Sequence, residues 1–131
     1  MQKKHVILLV DDDPDDQFLF REALEYAEEG AGFVVASNGM EAISTLELEK
    51  PNMVFLDLNM PLMSGEECLI AIRENTLWQE LPVVIYSTSV APEHEKTLLH
   101  YGATAVVKKP HDFMGLCTMI AGLISKFGNT A

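Results

Sequence analysis

Five short apolar runs, each followed by a longer stretch of chain, constrain the fold more than any other feature of this sequence. The runs cover residues 5–10, 33–36, 53–56, 83–86 and 105–107. They are apolar throughout rather than at every second position, which is typical of strands that are covered on both faces. The sequence therefore predicts a parallel sheet between layers of helices.

The stretches between the runs have helical periodicity. Apolar residues recur at helical spacing after the first run and again near the end of the chain, at Phe20, Ala23, Leu24 and Ala27 and at Leu116, Ile120, Leu123, Ile124 and Phe127. Strands that alternate with helices in this way predict a (βα)5 α/β unit, in which a doubly wound parallel sheet has the flavodoxin-like strand order 2-1-3-4-5.

Helix boundaries are marked by residues with strong positional preferences. Asp13 and Pro14 are typical of the cap and first turn of a helix, and Gly102 stands where the fourth helix should end. Gly30 and Gly32 are expected to close the first helical region in the same way.

Length and charge limit the classes of function. With 131 residues, 48% of them apolar, we expect one domain over residues 1–131 with a core of about 5–127. Nine basic and 20 acidic residues give a net charge of −11, which disfavours a nucleic acid partner. No apolar run approaches the ~18 residues of a membrane span. The spacing of Cys68 and Cys117 predicts buried thiols in a reducing cytoplasm.

Chemically useful side chains follow four of the predicted strands. Asp11, Asp12 and Asp13 follow the first run and Asp57 follows the third; Ser87 comes after the fourth and Lys108-Lys109 after the fifth. The first and third strands are neighbours in the expected order, and ligands of such sheets bind at the carboxyl ends of the strands. These side chains are therefore expected to meet.

Such a group of acids predicts phosphoryl chemistry. Carboxylates that repel one another need a cation, and hard oxygen ligands favour Mg2+. Beside that cation and Lys109, the Asp57 carboxylate could act as a nucleophile towards a phosphoryl group, and Ser87 could then donate to a phosphoryl oxygen.

Four segments resemble the receiver domains of two-component response regulators, in particular the single-domain receivers of the chemotaxis type. They are ILLVDD at 7–12, VFLDLNMPLMSG at 54–65, PVVIYS at 82–87, and Lys109-Pro110. The resemblance covers nearly the whole chain, and its motifs lie at four strand ends in register.

The resemblance implies a site. Asp57 would accept a phosphoryl group from a phosphohistidine on a sensor histidine kinase or histidine phosphotransfer protein. Asp12 and Asp57 would ligate Mg2+, with Asp11 acting through water and the Asn59 backbone carbonyl adding a ligand. The phosphoryl oxygens would be held by Ser87 and Lys109.

The resemblance also implies a role. The protein would be a cytoplasmic signalling protein rather than an ordinary enzyme, one that catalyses its own phosphorylation and dephosphorylation. Because nothing follows the domain in this chain, we expect output through a separate downstream effector. The peptide bond of the Lys-Pro pair is often cis in this family.

Two positions depart from the family pattern. Many receivers carry an aromatic residue three positions before the functional lysine, where this chain has Val106, and His111 replaces a frequent phenylalanine. The remaining acids, among them Asp15, Asp16, Glu28 and Glu29, are expected to be solvated surface.

Three other functions fit the sequence less well. Acids stand at positions 1, 3, 5 and 12 of a calcium loop, but Asp16 occupies position 6, where such loops need glycine. An aspartate-nucleophile phosphatase would carry an acid where Asn59 stands. A flavodoxin-like electron carrier would have a phosphate cradle, not acids, after the first strand.

Overall fold

Five parallel strands form one sheet at the centre of the protein. In the computed structural model, which describes residues 5–128, the strands are β1 (Val6–Val10), β2 (Gly32–Ala36), β3 (Met53–Leu56), β4 (Val83–Ser87) and β5 (Ala105–Lys108). Their order is β2-β1-β3-β4-β5, and every neighbouring pair is parallel. The predicted doubly wound α/β fold is confirmed.

Helices cover both faces of the sheet. They are α1 (Pro14–Ala27), α2 (Gly39–Glu49), α3 (Gly65–Glu74), α4 (Pro92–His100) and α5 (Phe113–Phe127), with a short 3-10 turn at Thr76–Trp78. The predicted cap of α1 is present, because the Asp13 side chain accepts a hydrogen bond from the Asp15 backbone N–H and Pro14 opens the helix. Gly102 follows the end of α4 with a φ of 108°, as predicted for a helix stop.

The sheet divides the apolar interior into two cores. Successive strand residues point to opposite faces, so Ile7 and Leu9 pack towards α1 and α5 while Leu8 and Val10 pack towards α2, α3 and α4. Both cores are closed by side chains without solvent exposure, including Phe20 on the first side and Leu69 on the second. Burial on both faces explains why the strands are apolar at nearly every position.

The strand boundaries differ from the predictions by one residue at most. β1 begins at Val6 rather than at His5, because the His5 backbone N–H donates to the Glu28 carboxylate. Gly32 does not close the first helical region as predicted; it pairs with Val6 as the first residue of β2, and Gly30, with a φ of 83°, makes the turn instead. β4 and β5 each extend one residue further, to the pair Ser87 and Lys108.

Both cysteines are buried and free, as expected. Residues 1–4 and 129–131 of the predicted domain lie outside the described residues. Within residues 5–128, no helix is long and apolar enough to cross a bilayer.

Candidate functional site

The carboxyl ends of β1 and β3 bring three carboxylates together. The backbone N–H of Asp57 donates to the Val10 carbonyl oxygen at 2.9 Å, which fixes the end of β3 beside the end of β1. Carboxylate oxygens of Asp11, Asp12 and Asp57 lie within 4.8 Å of one another, close enough to hold one metal ion. Asp11 and Asp57 are buried and Asp12 is exposed, so the group opens to solvent on one side.

Lys109 enters this group from the end of β5. Its backbone N–H donates to the Ser87 carbonyl oxygen at 2.8 Å, which continues the ladder past the last residue of the strand. The ammonium Nζ then lies 3.0 Å from Asp11 Oδ2, 2.8 Å from Asp16 Oδ2 and 3.4 Å from Asp57 Oδ2. A single cation therefore serves three carboxylates.

Burial and charge act against each other on the ionisable groups here. Burial raises the pKa of Asp11 to about 6, although the Asp13 backbone N–H and Lys109 both oppose that rise. For Lys109, burial alone would lower the pKa, but the hydrogen bonds to Asp16 and Asp11 outweigh it and raise the pKa above its ordinary value. The lysine is thus held in its charged form, while Asp11 is costly to keep ionised.

Ser87 and Asn59 flank the group. Ser87 is fully buried at the end of β4, and its hydroxyl donates to the Ser89 carbonyl oxygen at 3.5 Å, the outer limit of a hydrogen bond. Asn59 is exposed, and its backbone N–H donates to Asp57 Oδ1 at 3.3 Å. Asn59 lies two residues after Asp57, and Ser87 ends β4, the strand beside β3, as the sequence predicted. That the Asn59 carbonyl oxygen is a metal ligand stays a prediction.

Comparison with known proteins decides the family. The family model described as the response regulator receiver domain matches residues 7–121, which is most of the chain. The chain belongs to this family. The resemblance inferred from the four motifs is confirmed.

Relatives of this receiver include proteins of similar length. An uncharacterised 14.6 kDa protein of Leptolyngbya boryana is 37% identical over 87% of this chain and 86% of its own length. The response regulator Rcp1 of Synechocystis is 28% identical over 92% of this chain and 86% of its own length.

Solved structures agree with the fold. The Mn2+-bound form of Rcp1 has a TM-score of 0.81 at 28% identity and covers 97% of this chain and 96% of its own. The phosphorylated cyanobacterial phytochrome response regulator RcpA has a TM-score of 0.88 at 26% identity and covers 98% of this chain and 97% of its own.

The receiver departs from its family pattern where the sequence indicated. Val106 is partly buried in β5 and packs against the core on the α2, α3 and α4 side. His111 is exposed. No peptide bond among residues 5–128 is cis, so the Lys109–Pro110 bond is trans, unlike that of many family members.

Two acids predicted to be solvated are in fact paired. Asp16 contacts Lys109, and Glu28 accepts a hydrogen bond from the His5 backbone and lies 2.7 Å from its imidazole Nδ1. The position of Asp16 in the first turn of α1 was the available signal, because side chains there lean back towards the helix N-terminus, where the site is.

Tyr86 and Gly65 also contribute to the site. The Lys109 ammonium lies 5.1 Å from the centre of the Tyr86 ring, within the range of a cation–π contact. A Cβ atom on Gly65 would overlap the Asp57 carbonyl oxygen, so only glycine lets α3 begin this close to the end of β3.

Proposed function

We propose that this receiver accepts a phosphoryl group on the Asp57 carboxylate in a Mg2+-dependent reaction and changes its affinity for a partner as a result. The donor would be a phosphohistidine of a sensor histidine kinase or histidine phosphotransfer protein. One observation carries the proposal: the Asp57 carboxylate lies within a group of three acids that could hold a metal ion, and the Lys109 ammonium is 3.4 Å from it.

The donor set fits magnesium. Carboxylate oxygens that open to solvent on one side, with room for water ligands, are the coordination that Mg2+ prefers. Asp12 and Asp57 would hold the ion directly and Asp11 through water, with the Asn59 carbonyl as a further ligand. The bound ion would neutralise charge on the phosphoryl oxygens.

The chemistry of this chain's own residues follows from their positions. An oxygen of Asp57 would form the new bond to phosphorus as the phosphorus–nitrogen bond of the donor breaks, and the histidine nitrogen would keep that electron pair. Lys109 would donate to a phosphoryl oxygen. Ser87 would turn from its weak 3.5 Å contact with the Ser89 carbonyl and donate to another, a bond that only the phosphorylated state offers.

Return to the resting state would need only water. Water would attack the phosphoryl group, release it as phosphate and leave Asp57 as a free carboxylate. The receiver would therefore catalyse both its own phosphorylation and its own dephosphorylation, although its role is signalling.

Two relatives support these assignments. RcpA, 26% identical, was crystallised in a phosphorylated form, and Rcp1, 28% identical, with Mn2+ bound. Each matches nearly the whole of this chain, and we propose that residues 1–131 form one receiver domain that acts through contact with a separate effector protein. We place this signalling in the cytoplasm, where two free buried thiols are stable.

Phosphorylation of the purified protein by a small phosphodonor tests the proposal. With Mg2+ present, intact mass measurement should show the addition of one phosphoryl group, and peptide mapping should place it on Asp57. The matched control is Asp57→Asn, which keeps the shape of the side chain and removes the nucleophile. Phosphorylation of Asp57→Asn at the wild-type level would contradict the proposal. So would phosphorylation of the wild type that is unchanged when a chelator removes the metal.

A further inference from the structure

Asp16 is the nearest anion to the lysine of the proposed site. Its carboxylate Oδ2 lies 2.8 Å from Lys109 Nζ, shorter than the contacts to Asp11 at 3.0 Å and to Asp57 at 3.4 Å. The Asp16 side chain is 30% exposed and that of Lys109 is 11% exposed, so this ion pair lies at the mouth of the site rather than on the open surface.

The start of α1 fixes this contact. Asp13 caps the helix and Pro14 opens it, which places Asp16 in the first turn with its side chain directed back towards the ends of β1 and β5. The centre of the Tyr86 ring lies 5.1 Å from Nζ, within the range of a cation–π contact. The first turn of α1 therefore places Asp16 where it pairs with Lys109.

Each N–H donor of the Lys109 ammonium has a carboxylate acceptor within reach. A lysine carries three N–H donors, and here Asp11, Asp16 and Asp57 accept from them. Asp11 and Asp57 belong to the group of acids that could hold the metal, whereas Asp16 does not. A cation bound there would draw those two away from the lysine, and Asp16 would remain its partner.

We propose that Asp16 is a positioning residue that competes with the phosphorylated acceptor for Lys109 and thereby weakens the hold of the site on the phosphoryl group. This inference rests on the proposed phosphorylation of Asp57. Phosphorylation adds charge and acceptor oxygens at Asp57, and the 2.8 Å contact with Asp16 would oppose movement of the ammonium towards them. The strength of the Asp16 contact would then set how readily that movement occurs.

Beryllofluoride, a mimic of the aspartyl phosphate, tests the competition without covalent chemistry. The protein is saturated with Mg2+ and titrated with beryllofluoride, and binding is followed by the NMR shift of the Gly65 amide. Asp16→Asn should bind beryllofluoride about three- to tenfold more tightly than the wild type, the range for one partly exposed charge-assisted contact. Asp15→Asn is the matched control, since Asp15 lies in the same turn, carries the same charge and is exposed.

Two further measurements separate competition from a structural role. The Mg2+ affinity of Asp16→Asn should change by less than about twofold, because Asp16 is not among the acids grouped around the metal position. In a Lys109→Ala background the effect of Asp16→Asn should also fall below about twofold, because the shared lysine is gone. Asp16→Ser provides a second variant that suits the start of a helix.

The outcomes distinguish this inference from the function on which it rests. If the wild type binds no beryllofluoride with Mg2+ present, the proposed phosphorylation of Asp57 is overturned and the competition with it. If the wild type binds but Asp16→Asn and Asp16→Ser match Asp15→Asn, or if their effect persists undiminished without Lys109, the role of Asp16 alone is overturned.

Discussion

Replacement of Asp11 by asparagine is expected to stabilise the folded receiver when no metal is bound. Burial raises the pKa of Asp11 from 3.8 to about 6, so the folded state binds a proton more tightly than the unfolded state. Between those pH values the folded protein is protonated there and the unfolded chain is not. The free energy of unfolding therefore falls as pH rises through this window, and above it the ionised group is a constant cost.

The size of that cost follows from the shift. The rise of about 2 in the pKa of Asp11 corresponds to about 3 kcal/mol. This rise is what remains after the favourable bonds from Asp13 and Lys109 have lowered the pKa. Asparagine keeps the shape of the side chain and cannot ionise. We expect Asp11→Asn to raise the free energy of unfolding by about 1 to 3 kcal/mol at neutral pH and by much less at about pH 4, where the wild-type group is also neutral.

Urea unfolding in the presence of a chelator measures this difference. Urea unfolding curves of the wild type and Asp11→Asn are recorded from about pH 4 to neutrality. Asp15→Asn controls for the loss of one negative charge from a protein of net charge −11. A variant less stable than the wild type at neutral pH would refute the reasoning. So would a gain in stability that is the same at both ends of the pH range.

Three further predictions concern the metal, the segment that follows β4 and the core. Asp12→Asn should weaken Mg2+ binding by at least about tenfold in calorimetric titration, while Asp15→Asn leaves it within about twofold; similar losses in both would contradict a site of specific ligands. Beryllofluoride with Mg2+ should change hydrogen exchange in residues 89–102. When Ser87 turns towards the phosphoryl mimic, Val106 has no long side chain to fill the space it leaves, so we expect the loop after Ser87 and α4 to shift instead. Changes confined to the loop after Asp57 would contradict this. Phe20→Ala should lower the free energy of unfolding by about 3 to 5 kcal/mol in urea, since the ring is fully buried against three other aromatic rings, and a loss below about 1 kcal/mol would show that the core collapses around it.

The sheet was predictable because its strands are buried on both faces. That burial requires apolar residues at consecutive positions, a signal that the sequence carries locally. The predicted strand ends were accurate to one residue, and the error at His5 arises from a contact that is distant in sequence. The Glu28 side chain bonds the His5 backbone from 23 residues away, and no local pattern shows such a contact.

The grouping of the three acids was predictable from the sequence, whereas one contact of Lys109 was not. Asp11, Asp12 and Asp57 follow directly from the strand order, because parallel strands end at one edge of the sheet. The contact of Asp16 was missed because acids in the first turn of a helix usually face water. The positive end of the helix dipole is enough to explain an acid there without any further partner. Its contact with Lys109 joins residues 93 positions apart and depends on how α1 is seated against the sheet.

The division of the interior by the sheet lets the two sides be altered independently. The core under α1 and α5 contains Phe20 and its aromatic neighbours, whereas Leu98 of α4 and Val106 of β5 belong to the other core. Substitutions without shared neighbours usually have additive effects on the free energy of unfolding. Heat tolerance could therefore be raised by redesigning the core under α1 and α5 while the packing of α4 against the other face of the sheet is left as it is.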